Sequence, residues 1–447
     1  MALHKGLTKI GFKVSLCEKH FHDHDETWVI LQGKGTGYWV DHGGKRKEFD
    51  LEAGDVWMIP AGYEHGSEGL KATSKNSGDF AIAVFNGTLP EGSHKPGHYY
   101  VETERYIPTF ELRKTPTDRY TEPLGLPALM RGIIFPEKGK AAFQKEPTPG
   151  CNAGTVLCQS LFTGLTNGTE RNVLLGGNYS GGQWPNRCGY QNVGIVLAVG
   201  RDVKDFVVGD LVFSGDFCQH TQYFAAAASE NSLIIKLPGA VEPAHAALFG
   251  VASVAMHDVR RAGVMLGEKV LVVGAGPIGQ FTAQAARLAG AIVTICDLND
   301  KRLAVARTLG THATIALTPD AASWAAVKQA GPFDVVFEDS GAPVLEHVLG
   351  GTWGQGVLKH RSRVVVVAGR DRVEYSFNAG QGYELSVLHA SHFVGDDLRQ
   401  VSRLAAEGML KFGPVIQDRV KVEDAIAIYN TLRDSPSSLF GVVFDWR

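Results

Sequence analysis

Two groups of residues carry spacing that could do chemistry. Residues 20 to 33 read HFHDHDETWVILQG, which puts His20, His22 and Glu26 at separations of two and four. On a strand, residues an even number apart face the same side, so these three share one face if the segment is extended. Residues 54 to 65, GDVWMIPAGYEH, end in His65 after a turn built on Gly54 and Pro60-Ala61-Gly62, which can deliver a fourth ligand to that face. Three imidazoles and one carboxylate suit one divalent transition metal, Fe, Mn, Ni, Zn or Co, and leave coordination positions open for substrate or water. His24 has the same parity and competes for a ligand place. In the second group, KVLVVGAGPIGQ sets Gly274, Gly276, Pro277, Ile278 and Gly279 between an apolar strand and a helical run, FTAQAARLAG. A tight turn there brings backbone N–H groups and a helix N-terminus against a pyrophosphate. The next strand, AIVTICD, ends in Asp297, placed to accept hydrogen bonds from an adenosine ribose and to repel a 2′-phosphate. The cofactor is therefore read as NAD with NADP second, Arg302 being the residue that could tolerate the extra phosphate.

These groups need a scaffold, and 447 residues are enough for about two or three domains. With 44 Lys+Arg against 47 Asp+Glu the net charge is −3, and 44 % of residues are hydrophobic, so the chain reads as globular. That balance excludes nucleic acid and an anionic membrane surface as obvious partners and leaves a small-molecule substrate. Six cysteines without a CxxC pair fit a reducing, cytoplasmic setting rather than a disulfide scaffold or a four-thiolate zinc lobe. No secretory leader and no membrane span is recognisable.

Up to residue 95, short β-type runs (TWVILQG, GTGYWV, DVWMIPAG, DFAIAVFNG) alternate with Gly, Asp and Pro turns. The two metal-ligand segments on such runs resemble the paired signature motifs of the cupin family, a small β-barrel with its metal inside. The glycine that the family carries ahead of the first histidine falls here at Val14, and its closing asparagine at Gly69. Residues 96 to 130, rich in proline and charge, read as a connector. After it, glycine-turned strands lead to alanine-rich helical segments alternating with KVLVVG, AIVTICD, FDVVFEDSG and RVVVVAG, the pattern of a parallel α/β sheet.

From about residue 131 onward, VGIVLAVGRDVKDFVVGDLVFSG, the glycine turn, FDVVFEDSG and RVVVVAG follow each other as in the medium-chain dehydrogenase/reductase superfamily, which this region resembles. The resemblance implies a multidomain chain: an all-β cupin barrel over 1–95, the connector 96–130, a GroES-like catalytic domain over 131–243 and 389–447, and an α/β Rossmann domain over 244–388. Zinc-containing members bind their metal at places that here look like Thr166, Tyr190 (in Gly189-Tyr190-Gln191) and Phe249, none of them a good zinc ligand. The run LFTGLTNGTER is similar to a zinc-less subgroup that includes bacteriochlorophyllide hydroxyethyl dehydrogenases. A zinc-free site still needs a proton donor and a holder for the developing oxyanion, and Tyr190, Thr166 and His220, with Tyr179 behind them, are the candidates. His257 reads as a packed helix residue.

The expected activity is NAD-linked interconversion of a secondary alcohol and a ketone of a polyol, sugar or cyclitol derivative, with the metal-binding cupin carrying out an isomerase-, epimerase- or lyase-type step on the same molecule. Two alternatives stand beside it: a dehydrogenase whose cupin is a binding or oligomerisation module, and an NADPH-dependent quinone or enone reductase. A homo-oligomer, dimer or tetramer, is expected.

Overall fold

Glu26–Gln32, ETWVILQ, shows how the first unit is built. Its side chains alternate, with Glu26, Trp28 and Ile30 buried and Leu31 exposed. Trp28 and Ile30 join Leu51, Trp57 and Ile59 in one apolar core, and the same parity carries the Glu26 carboxylate inward. This is a computed structural model, and it describes residues 8–11, 17–22, 26–40, 45–60, 63–71, 81–86, 98–100, 105–107, 126–352 and 354–447. His24 and Val14 lie outside the described residues, as does most of the 96–130 stretch. The chain divides into two compact units, residues 1–129 with 147–158 and 195–210, and residues 130–146, 159–194 and 211–447.

The first unit carries two antiparallel sheets. One has the order Thr8–Gly11, Ala81–Asn86, Glu26–Gln32, Val56–Ile59; the other runs Arg105–Ile107, His98–Tyr100, Cys17–His22, Glu64–Lys71, Lys34–Val40, Arg46–Glu52. The strands His98–Tyr100 and Arg105–Ile107 thus extend a sheet from within the stretch read as a connector. In the second sheet His20 stands opposite His65, and Glu26 in the first pairs with Ile59.

In the second unit a six-stranded parallel sheet has the order Ala313–Ala316, Ile292–Asp297, Lys269–Val273, Phe333–Glu338, Leu358–Val366, Ser386–His389. Numbered by chain position within this sheet, that is 3-2-1-4-5-6, the doubly wound order whose crevice opens at the carboxyl ends of the central strands. Its sequence cause is plain in KVLVV. Val270 and Val272 enter one apolar core while Leu271 and Val273 enter another, so the strand is apolar on both faces and must be covered on both. The helices Phe249–Ala262 and Pro277–Leu288 cover the first face. Near the chain's end Gly441–Asp445 pairs antiparallel with Thr155–Gly164, setting Phe162 against Asp445, and parallel with Ile416–Lys421. A third core joins helices Asn167–Leu174 and Ala425–Asp434 through Val173, Leu174, Tyr429, Leu432 and Phe444. No helix among the described residues is long and apolar enough to cross a membrane.

Candidate active site

The second unit encloses a cavity of about 820 Å³ whose wall includes Thr166, Tyr190, Gly276, Pro277, Ile278, Gly279 and Arg302. Its glycine turn is dictated by close packing. Gly274 has φ +107°, and a Cβ on Gly279 would run into the Gly274 carbonyl oxygen, so neither place accepts a side chain. Gly276 caps the helix Pro277–Leu288, with Pro277 at its first turn, and the unbonded N–H groups of that turn open at the cavity. Asp297 ends its strand beneath the turn. Its Oδ2 accepts the Ala275 N–H at 2.6 Å and its Oδ1 the Asn299 N–H at 2.8 Å. Arg302 donates to the carbonyls of Ser437 (3.2 Å) and Leu439 (2.8 Å). Through its bond to Ala275, Asp297 is tied to the turn next to the wall residue Gly276.

At the other end Thr166 caps the helix Asn167–Leu174. Its N–H donates to Glu170 Oε1 at 2.7 Å, and its Oγ1 accepts from Gln191 Nε2 at 3.1 Å. Gln191 is fully buried. It also donates to the Gly164 carbonyl at 3.3 Å and accepts the Val251 N–H at 2.9 Å. One amide therefore ties a strand end, a loop and the helix Phe249–Ala262 together, a role unforeseen although Gln191 sits in the triplet the sequence singles out. Tyr190 is buried and shares the cavity wall with Thr166; burial pushes the phenol above its ordinary value, which the Thr166 hydroxyl only partly offsets. The phenol is therefore a protonated donor at neutral pH. Phe249, the third expected position, is fully buried against Phe213 and Phe412.

His220, a candidate from the sequence, lies outside the cavity wall, where a hydroxyl and a carboxylate take both its ring nitrogens. Nε2 meets the Glu170 carboxylate at 3.1 Å and Nδ1 meets Thr163 Oγ1 at 2.7 Å. Trp446 Nε1 donates to that same Thr163 oxygen, so the threonine hydroxyl is left to donate to Nδ1, and the Nε2 proton points at Glu170. Glu170, fully buried, also accepts from Tyr429 at 2.5 Å. His220 and Glu170 thus hold the segment that positions Thr166. A Cβ on Gly189 would strike the His220 ring, and its φ is +119°, so the residue before Tyr190 must be glycine. Tyr179 reaches the cavity wall. His257 pairs with Asp397 at 2.8 Å, a packed helix residue as read from sequence.

Two wall residues had no signal in the sequence. Phe217 is 67 % exposed and stacks on His392, with centroids 5.4 Å apart. His392 also meets Tyr190 edge-on at 5.0 Å, and burial lowers its pKa, leaving the ring neutral. They come from segments far apart in sequence with no shared pattern.

In the first unit Glu26 Oε2 lies 3.5 Å from His65 Nε2, both residues buried. Trp28 Nε1 donates to the same carboxylate oxygen at 2.6 Å, and His65 Nδ1 lies 2.9 Å from the Tyr63 carbonyl. Trp28 and Trp57 flank the imidazole edge-on. His20 is the register partner of His65, and His22 follows two residues on.

Family models match in three places: a cupin domain over residues 15–71, an alcohol dehydrogenase GroES-like domain over 152–258, and a zinc-binding dehydrogenase domain over 277–407. The chain is a cupin joined to a medium-chain alcohol dehydrogenase-like region. This cupin–dehydrogenase is 28 % identical over 327 residues to the 2-dehydro-3-deoxy-L-galactonate 5-dehydrogenase of Pseudoalteromonas atlantica, covering 65 % of this chain and 92 % of that one. It is 28 % identical over 282 residues to sorbitol dehydrogenase 2 of Saccharomyces cerevisiae, covering 55 % and 78 %. The crystal structure of 2R,3R-butanediol dehydrogenase from Bacillus subtilis superposes with a TM-score of 0.60 at 21 % identity, over 71 % of this chain and all of that one. The cupin–dehydrogenase is an oxidoreductase of the medium-chain dehydrogenase/reductase class.

Proposed function

We propose that the cupin–dehydrogenase interconverts a secondary alcohol and a ketone of a polyol, sugar or cyclitol derivative with NAD(H) and without catalytic zinc. The observation that carries this is the Tyr190–Thr166 hydroxyl pair in the same cavity as the glycine turn. Two hydroxyls and the apolar Phe249 are not a zinc donor set, so no step runs through zinc. The nicotinamide, when bound, supplies or accepts the hydride. In ketone reduction the Tyr190 phenol gives its proton to the oxygen that becomes the alcohol, and in oxidation the phenolate takes it back. Thr166, held by Gln191 and Glu170, orients that oxygen beside the phenol. Two of the relatives named above are enzymes of sugar-acid and polyol oxidation, which supports the substrate class. For the cofactor, each Asp297 oxygen accepts one backbone N–H and keeps a second acceptor position for a ribose hydroxyl. Arg302 gives only its Nη2 to two carbonyls, so the preference for NAD over NADP rests on the Asp297 carboxylate.

The cupin would hold one divalent transition metal through His20, His22, Glu26 and His65. With the Nδ1 proton given to Tyr63, His65 Nε2 is a lone pair directed at a carboxylate, a donor pair that suits a cation. Such a metal would polarise a substrate carbonyl for an isomerase-, epimerase- or lyase-type step on the same molecule.

The test is a screen of polyols and sugar derivatives followed by NADH absorbance, repeated with Tyr190→Phe. Turnover of a secondary alcohol that falls by roughly 10²-fold in the variant supports the reading. An effect of a few-fold would remove Tyr190 as the proton carrier.

A further inference from the structure

Behind the glycine-turn side of the cavity stand two carboxylates that the mechanism above does not use. Asp258, on the helix Phe249–Ala262, is 2 % exposed; Asp339 directly follows the strand Phe333–Glu338, and both belong to the cavity wall. Among the described residues, neither Asp339 oxygen has a hydrogen-bond partner, and nor has Asp258 Oδ2. The Thr282 hydroxyl, fully buried on the helix Pro277–Leu288, is near enough to ease the Asp339 charge, though neither group has a well-formed hydrogen bond. Asp339 Oδ2 lies 3.4 Å from where a Cβ of Gly279 would be, so it sits directly under the turn that would receive a pyrophosphate.

The groups around the pair supply no compensating charge. On the same helix as Asp258, His257 and Arg260 both point to Asp397, of the helix Gly395–Ala406, at 2.8 and 2.6 Å. Beside Asp339, Glu338 is bound by Arg370 and by the Ser340 and Gly341 N–H groups. Each of these cations is matched to another acid, while Arg302, in the same wall, meets the Ser437 and Leu439 carbonyls. A buried, ionised carboxylate with no donor is costly, and two near each other more so; a pyrophosphate placed above them adds a third negative group.

We propose that Asp258 and Asp339 form a carboxylic acid pair that must carry a proton for a dinucleotide to sit on the glycine turn, so that cofactor binding is coupled to proton uptake. This rests on the reading of that turn as the dinucleotide site. Burial, with the Asp397 charge behind it, pushes Asp258 up to about 8, and burial with the Asp258 charge raises Asp339 well above the carboxylate range. The sign follows: at pH 7 the pair is protonated and tolerates the anion, and as pH rises through 8 it ionises and repels it.

ADP-ribose is the probe, since it carries the pyrophosphate without the nicotinamide charge and does not itself titrate between pH 6.5 and 9.5. Calorimetric titration of the full chain should show Kd rising about tenfold from pH 7 to pH 9, because binding to a protonated form weakens tenfold per unit above its pKa. In wild-type protein at pH 8.5, heats in two buffers of different ionisation enthalpy should reveal net proton uptake. Asp258→Asn/Asp339→Asn should bind with a flat pH profile. A flat profile and no proton uptake in the wild type would overturn the acid pair while leaving the dinucleotide site standing. Absence of binding at every pH would overturn the dinucleotide reading and the pair with it. Restoration of tight binding at pH 9 by millimolar Mg²⁺ would replace the proton by a cation and also contradict the proposal.

Discussion

Gln191 shows how much one neutral side chain decides here. A glutamate at that place would have two acceptors facing the Gly164 carbonyl and Thr166 Oγ1, whereas the amide donates to both and keeps its oxygen for the Val251 N–H. Gln191→Leu should therefore leave a buried N–H and a carbonyl without partners and lower stability by about 1–3 kcal/mol, read by denaturant unfolding of the full chain. An unchanged midpoint would mean that the amide is not structural. The residue scale is also where the sequence was least legible. The glycine turn with Asp297, and the His20/His22/Glu26/His65 set, stand out in the sequence because their spacing is local and their residue types carry chemistry; of the second set the described side chains bring Glu26 and His65 together. Phe217, His392, Asp258 and Asp339 are single residues on separate elements, and only the fold makes them neighbours. His220 looked catalytic from its type alone, yet Thr163 and Glu170 take both its nitrogens.

At the scale of elements, the strand–turn–helix Lys269–Val273 to Pro277–Leu288 depends on Gly279 for its closure. Gly279→Ala must push the helix off the Gly274 carbonyl, so dinucleotide binding should fall at least tenfold as measured by ADP-ribose titration, with the fold retained. The strand Gly441–Asp445 supplies a second element-scale prediction. Its Asp445 is held down to about 2, chiefly by Arg447. A depressed carboxylate contributes stability above its unfolded value near 3.9 and loses it as pH falls through its folded value. Asp445→Asn should thus lower the thermal midpoint at pH 6 and abolish the part of the acid sensitivity between about pH 4 and 2 that this pair causes; a variant as stable as wild type at pH 6 would dismiss the pair. The parallel sheet was legible because VLVV in Lys269–Val273 and VVF in Phe333–Glu338 are consecutive apolar residues rather than alternating ones, as a sheet covered on both faces requires. The strands His98–Tyr100 and Arg105–Ile107 were not, since three residues among prolines and charges carry no periodicity.

Taken whole, the chain carries two chemistries with different demands: a cupin that would use a metal and a dehydrogenase that would use a phenol. Purified protein should hold about one divalent transition metal per chain, and Glu26→Gln/His65→Ala should lose it; equal metal in both would refute the ligand set. The central claim is that hydride transfer needs no metal. The most direct measurement is NADH formation from a secondary-alcohol substrate before and after stripping the full chain with a strong chelator. The rate of NADH formation should be unchanged in the metal-free protein. Loss of that rate, restored by zinc alone, would contradict it.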